Sequence, residues 1–380
     1  MIEKSVEMKR VLLICVSSQS VINFRKNLIL RLKDEGCAVS VVTFDSEYKE
    51  DILSLGADFY SVKDKNRSTN PLNILSLQKK YERIIEKVNP DIVFTFMLKP
   101  NIFGVLAAQK KGIENVFSMV EGAGDVFIND SLKWKLIRFV VCRLYKRALK
   151  YSRVVFFLNN DDKSEFVERG LVKAEQCEII HGVGVDLNRF EFKPIKNDRT
   201  FLMVARMLKT KGVLEYCECA REVKKKYPDA VFNYLGAEGT VTLEDIKEYI
   251  EDGSVNYLGI VSDVRPYLEE CTAFVLPSSY REGLPMSILE AESVGRPIVT
   301  CDNVGCRDTV EDFYNGFLIP TKNVDVLCEK CIYIIENFDM AKTMGENSRK
   351  LAEQKFDQNV INKQILNILF EERKADKLYV

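Results

Sequence analysis

Histidine is almost absent from this chain: His181 is the only one in 380 residues. A single imidazole leaves little room for Ser-His-Asp chemistry, and no Gly-x-Ser-x-Gly elbow is present to supply a nucleophile. An Asp-x-Asp pair, which could hold a divalent cation, is missing at every position. Long hydrophobic runs are missing too. The run "VLLICV" (Val11 to Val16) ends after six residues in polar "SSQS", so it reads as neither signal peptide nor membrane span. No other segment reaches the roughly 18 uncharged apolar residues that a span needs. Charge of one sign is not in excess either. The net charge is -1 with 29% charged residues, so no global basic field points to nucleic acid, and an anionic partner must be held locally. The loop after the first apolar run, "SSQSVINF", contains no glycine, which excludes a dinucleotide fingerprint there; a Walker lysine loop is also absent.

Cysteine, by contrast, is plentiful. The eleven are scattered (Cys15, Cys37, Cys142, Cys177 and Cys271 among them) and sit mostly in apolar runs, as in a reduced cytoplasmic protein. Cys217/Cys219 and Cys328/Cys331 have the spacing of metal pairs, but both fall in helical patterns far in sequence from His181. No metal site is expected.

Short β-branched or aromatic runs alternate with longer helical patterns, the signature of βαβ units and parallel sheets. In the first half the expected strands are Arg10 to Val16, Ala38 to Phe44, Asp91 to Met97, Asn115 to Val120 and Arg153 to Leu158. Helices are expected over Asn23 to Glu35 and Pro71 to Val88. A polar, Pro-containing stretch from Asn188 to Arg199 reads as a linker. After it come strands "TFLMVA", "AVFNYLG", "VNYLG", "AFVLP" and "PIVTC", and from Val324 onward the pattern is helical only. The length also suits two domains. The expected boundaries are 1–190, 191–360 and a terminal helix over 361–380 that packs back on the first domain. Two doubly wound sheets should face a cleft, with ligands at the carboxyl ends of the strands.

The most informative stretch is Arg281 to Pro297, "REGLPMSILEAESVGRP". Pro285 suits the first helical position, so a helix should begin near Leu284 to Met286 and run to about Val294. Glu282 then lies in the loop before the helix. Backbone N–H groups near Gly283, Leu284 and Met286 would point out of a helix N-terminus, where the dipole favours a phosphate. Glu290 falls about five residues in, roughly 7.5 Å along the axis, where a carboxylate could accept two hydrogen bonds from a ribose diol. The competing reading makes Glu282 a helix cap and Glu290 a solvated face residue. Upstream, "FLMVARMLKTKG" places Arg206 and Lys211 around a helix start, where two cations could neutralise a diphosphate or stand as surface charges.

These segments, with "NGFLIP" downstream and "IIHGVGVDLNRF" between the halves, resemble the retaining glycosyltransferases of family 4. The resemblance implies the GT-B fold: two Rossmann-like doubly wound domains facing a cleft, with C-terminal helices. In the first half "FRKNLILRLKDEG", "LKPNIFGVLAA" and "SMVEGAG" are most similar to bacterial enzymes that build O-antigen, capsule or N-glycan precursors on undecaprenyl diphosphate. Among these, the transferases that move N-acetylgalactosamine to a lipid-linked amino sugar are the nearest. Carried over by motif, Glu282 contacts donor sugar hydroxyls, Gly283 to Pro285 lie beside sugar and diphosphate, Arg206 and Lys211 bind the diphosphate and Glu290 the ribose. The implied reaction retains the anomeric configuration. It needs no cofactor, since the UDP-sugar is a substrate, and no metal. Many relatives carry a histidine where this chain has "VEGAGDV" and offers Glu121 instead.

For a lipid-linked glycan acceptor, Ser17, Ser18, Lys99, Asn101 and Glu121 are the candidates, each just after a first-half strand. Ser131 to Tyr151 joins seven Lys/Arg residues to an apolar face and the only tryptophan. It reads equally as a membrane-surface helix or as a packed helix with a basic side. The expected location is cytoplasmic, peripheral on the inner face of the membrane. A nucleotide-sugar epimerase or phosphorylase of the same fold, or a catalytically silent binding subunit of a polysaccharide assembly complex, are the rival readings.

Overall fold

The computed structural model describes residues 8–62, 71–122, 124–128 and 131–371. The chain divides into two compact units, one from the residues up to Val183 together with those from Asn359 onward, the other from Gly184 to Gln358.

The first unit is built on strands β1 (Arg10–Ile14), β2 (Ala38–Thr43), β3 (Asp58–Ser61), β4 (Ile92–Phe96), β5 (Val116–Val120), β6 (Val154–Phe157) and β7 (Cys177–Ile179), in the order β3-β2-β1-β4-β5-β6-β7. Neighbours pair in parallel, as in Leu12 opposite Ser40 on one side and Val93 on the other. Strands covered by helices on both faces must be apolar throughout rather than alternating. Every residue of β4 and β5 is accordingly buried. The helix expected over Asn23 to Glu35 is two helices, Ser18–Phe24 and Lys26–Asp34, because Arg25 leaves helical geometry (φ -124, ψ -6) and turns its side chain into the core. Pro71–Val88 forms as expected. The final helix, Gln358–Phe370, sends Ile361, Ile365, Leu366 and Leu369 into the same apolar cluster as Val11, Leu13 and Val39. Residues 372–380 of the expected terminal helix lie outside the described residues.

The second unit carries β8 (Thr200–Val204), β9 (Val231–Leu235), β10 (Asn256–Tyr257), β11 (Ala273–Leu276), β12 (Ile298–Cys301) and β13 (Gly316–Ile319), in the order β10-β9-β8-β11-β12-β13, again parallel. The chain enters this unit at Gly184 rather than after residue 190. Val185 and Phe190 belong to its core, and the Val185 N–H donates to the Phe356 carbonyl at 2.8 Å. All eleven cysteines are free thiols. Cys219 and Cys331 come within 3.9 Å of each other where helices Val213–Lys226 and Val324–Glu336 pack together.

Each sheet reverses its strand order once, between β1 and β4 in the first unit and between β8 and β11 in the second. Ligands of open parallel sheets bind outside the carboxyl ends of the strands at such a switch point. The loops that leave β8 and β11 carry Arg206, Lys211 and Glu282; those that leave β1 and β4 carry Ser17, Ser18, Lys99 and Asn101.

Candidate functional site

After β8 the chain makes a single tight turn, Lys209–Lys211, and then Gly212 (φ 79) starts the helix Val213–Lys226. A Cβ on Gly212 would lie 2.2 Å from the Pro277 carbonyl oxygen, so only glycine lets this turn sit against the loop that leaves β11. The two loops are locked by backbone bonds: the N–H groups of Ser279 and Tyr280 both donate to the Thr210 carbonyl, at 2.8 and 2.9 Å. This contact brings Lys211 to Glu282. The Lys211 ammonium bonds the Glu282 carboxylate, which also accepts from the Ser278 hydroxyl at 3.0 Å. Both side chains are largely enclosed, 17% exposed for Lys211 and 10% for Glu282. The two charges that the sequence assigns to different parts of a ligand are thus paired with each other.

Glu282 is fixed from behind as well. Its N–H donates to Val304, and Asn303 spans the loop by donating to the Tyr280 carbonyl at 2.7 Å. Gly305 (φ 79) allows the close approach, since a Cβ there would meet the Glu282 carbonyl at 2.6 Å. Ser278, Asn303 and Gly305 were not among the residues singled out from sequence. No spacing rule points to them: Ser278 shares the loop after β11 with Glu282, and Asn303 and Gly305 reach that loop from the one after β12.

The helix runs from Met286 to Val294, with Pro285 (φ -72, ψ 110) as the cap residue just outside it. Proline offers no side-chain acceptor, and the first turn holds no acidic residue. Glu282 therefore serves its loop rather than the helix start. The Leu284 side chain belongs to the apolar core, so only its backbone faces a ligand; Gly283 and Met286 are half-buried. Glu290 lies one helical turn past Met286 and is half-buried rather than solvated. Burial pushes its carboxyl up to about 7; the Arg189 charge opposes the shift and Asp263 adds to it. Asp263 is itself gripped by Arg265 through bonds of 2.6 to 3.0 Å, which hold its carboxyl down at about 2. Two residues on, Glu292 points the other way, into the core. It accepts from Asn315 at 2.9 Å, and burial pushes its carboxyl well above the carboxylate range. Arg206 is exposed in the loop that leaves β8, and the described residues give it no carboxylate partner.

In the first unit the five candidates separate. Ser17 caps the helix Ser18–Phe24 by accepting from the Ser20 N–H at 3.1 Å. Ser18 is fully buried and its hydroxyl is bonded to Asp45. Asn101 is fully buried as well, accepting from Thr95 at 2.7 Å and donating to the Met119 carbonyl at 2.7 Å. It supports a single wide turn, Pro100–Gly104, that follows Met97 in left-handed geometry (φ 70). Ser18 and Asn101 are corrected from substrate-facing groups to supports, because a buried polar side chain is spent on satisfying its neighbours. Glu121 pairs with Arg25, whose guanidinium lies 4.4 Å from the Phe96 ring centre and is only 4% exposed. Burial lowers the Arg25 pKa to about 10, and the carboxylate compensates the buried charge. Lys99 is half-buried, with its ammonium 5.6 Å from the Phe44 ring centre. His181 is exposed just past β7.

Two parallel-sheet units of this kind, each with its loops at a switch point, define the GT-B class of fold. Solved structures share this fold. HepE from Anabaena, in complex with UDP, covers 95% of this chain and 99% of its own with a TM-score of 0.78 at 18% identity. A glycosyltransferase from Rickettsia africae covers 96% and 98% with a TM-score of 0.77 at 19% identity. Residues 10–159 match the family described as "Glycosyl transferase 4-like" and residues 185–351 that described as "Glycosyl transferases group 1". A Campylobacter jejuni protein named N,N'-diacetylbacillosaminyl-diphospho-undecaprenol alpha-1,3-N-acetylgalactosaminyltransferase is 32% identical over 363 residues, 92% of this chain and 95% of the relative. An Escherichia coli UDP-Gal:alpha-D-GlcNAc-diphosphoundecaprenol alpha-1,3-galactosyltransferase is 29% identical over 73% of each chain. The chain belongs to the group 1 glycosyltransferase family and is a glycosyltransferase.

Proposed function

We propose that the chain transfers an N-acetylhexosamine from a UDP-sugar to a glycan acceptor carried on undecaprenyl diphosphate, with retention at the anomeric carbon and without a metal. The observation that carries this reading is the meeting of Lys211 and Glu282 at the β8/β11 switch point, beside a helix start that has no side-chain cap. The names of the Campylobacter jejuni and Escherichia coli relatives support the lipid diphosphate acceptor, and the former supports the N-acetylhexosamine.

In this reading the diphosphate lies against the N–H groups at Gly283 to Met286, which are preorganised for negative charge. Arg206 and Lys211 supply the cations that an Asp-x-Asp metal site supplies elsewhere. Glu282 turns from Lys211 to the sugar hydroxyls, and Glu290, once ionised, accepts from the ribose diol. As the bond from C1 to the diphosphate oxygen breaks, its electron pair passes to that oxygen, where the fixed donors stabilise the developing charge. The acceptor hydroxyl oxygen bonds to C1 on the same face, and the departing oxygen takes its proton. No protein nucleophile is required. Among the described residues no helix is long and apolar enough to cross a membrane; the reaction takes place at the inner membrane surface, with the chain bound peripherally. UDP release that depends strictly on the lipid-linked acceptor supports transfer, and release without acceptor supports the epimerase reading. If Glu282→Gln and Arg206→Ala leave glycan assembly unchanged, the silent-subunit reading replaces both.

A further inference from the structure

The helix Leu132–Leu149 of the first unit leaves an apolar stripe uncovered. Leu132, Leu136, Phe139 and Val140 are 87%, 66%, 55% and 49% exposed, at i, i+4, i+7 and i+8 on one side of the helix. The opposite side is already used: Tyr145, Ala148 and Leu149 are buried in the core. Contiguous exposed apolar side chains of this size mark a surface that meets something other than water.

Charge identifies the partner. From Ser131 to Tyr151 the sequence holds seven Lys/Arg residues and no Asp or Glu, in a chain whose net charge is -1. Lys133 and Lys135 are exposed on either side of the apolar stripe, and Arg143 and Arg147 continue the stripe itself toward the C-terminus. Arg143 also lies over the Phe139 ring, 4.5 Å from its centre. Arg138 is turned inward and donates to the Val126 carbonyl at 2.7 Å. The exposed side is therefore apolar for its first two turns and basic for its last two. A helix with apolar side chains beside a concentration of lysine and arginine lies in the plane of an anionic bilayer, its apolar residues in the headgroup–acyl boundary.

We infer that the exposed side of helix Leu132–Leu149 is a docking face for an anionic phospholipid bilayer, which holds the enzyme at the surface where a lipid-linked acceptor resides. The inference rests on the acceptor reading for its purpose, though not for its physics. The test is co-sedimentation of the full chain with vesicles of phosphatidylglycerol mixed into phosphatidylcholine, against vesicles of pure phosphatidylcholine. Binding to the anionic vesicles, weakened by salt, is expected. Leu136→Glu with Phe139→Glu should lower vesicle affinity at least about tenfold, since it removes apolar area and adds charge of the wrong sign. Lys133→Ser and Lys135→Ser should cost about fivefold each. These residues are exposed, and unchanged thermal unfolding and UDP affinity in calorimetry verify that the variants remain folded. Wild-type chain that ignores anionic vesicles, or variants that bind them like wild type, overturn the inference. So does a Leu136→Glu/Phe139→Glu variant that converts a dimer to a monomer in the ultracentrifuge while its vesicle binding persists, which makes the stripe a self-association face. Neither UDP affinity nor transfer to a water-soluble acceptor depends on vesicles, so failure of the docking face leaves the glycosyltransfer reading standing, and the reverse.

Discussion

Replacing Glu282, the carboxylate proposed to contact the sugar, should tighten the binding of UDP. In the free protein Lys211 is tied to Glu282, so a diphosphate must draw the ammonium away from a carboxylate that also repels the incoming ligand. Glu282→Gln removes both obstacles and keeps the side chain's size and its bond to Ser278. Exposed ion pairs contribute about 0.2–1 kcal/mol, whereas breaking a fully buried pair costs about 3–5 kcal/mol. With 10% and 17% of the side chains open to solvent, this pair lies between those limits. A gain of about 1–2 kcal/mol is expected, five- to thirtyfold in the dissociation constant. Transfer should collapse in the same variant, because the sugar hydroxyls lose their acceptor. Calorimetric titration of UDP into wild type, Glu282→Gln, Lys211→Ala and the double variant isolates the effect as a coupling between the two positions. In the Lys211→Ala background most of the gain should disappear. Unchanged or weaker UDP binding by a folded Glu282→Gln protein would refute the assignment of Lys211 as the cation for the diphosphate.

Donor affinity should depend on pH through Glu290, whose carboxyl titrates near 7 in the free protein. Below that value it is protonated and a poor acceptor for a diol, so UDP affinity should fall by up to about tenfold per pH unit, and Arg189→Ala should move the midpoint upward. The sign for stability is opposite. A carboxyl raised from 4.5 toward 7 by folding destabilises the folded state as pH rises through that window, so Glu290→Gln should gain stability over wild type above pH 7 in urea titrations. Gly212→Ala should cost about 1–3 kcal/mol in unfolding free energy from backbone strain alone, with a loss of donor binding as the Lys211 turn is pushed off Pro277. Asn101→Ala should destabilise by about 1–3 kcal/mol by removing two buried hydrogen bonds, to the Thr95 hydroxyl and the Met119 carbonyl, yet leave the acceptor KM unchanged.

The sequence made the interior strands and the donor loop readable for one physical reason: both leave local signatures. Buried parallel strands are unbroken apolar runs, and β1, β2, β4, β5 and β6 were found that way, as were β8, β9, β11 and β12. The edge strands β3 and β7 were passed over because they are short and mostly open to solvent, so no apolar run marks them; the edge strand β13 was passed over as well. Pro285 marked the helix start to within a residue. Side-chain partners were not readable. Ser18, Asn101 and Glu121 sit where ligand-facing groups are expected, after β1, β4 and β5, and look the same in sequence whether they face solvent or the core. Only the positions of Asp45, Thr95 and Arg25 decide: Asp45 and Arg25 lie far along the chain from their partners, and Thr95, though on the strand that leads to Asn101, meets it only because the turn after β4 folds back. The break at Arg25 was invisible for the same reason, since its cause is a buried pairing with Glu121 almost a hundred residues away.

The most direct test is to supply purified chain with a UDP-N-acetylhexosamine and an undecaprenyl-diphosphate-linked amino sugar, in chelator, and to measure UDP release and the anomeric configuration of the new bond by NMR. The account predicts UDP release only when acceptor is present, a bond of the same configuration as in the donor, and neither outcome in Glu282→Gln. Release without acceptor, an inverted bond, or activity that chelator abolishes would contradict it.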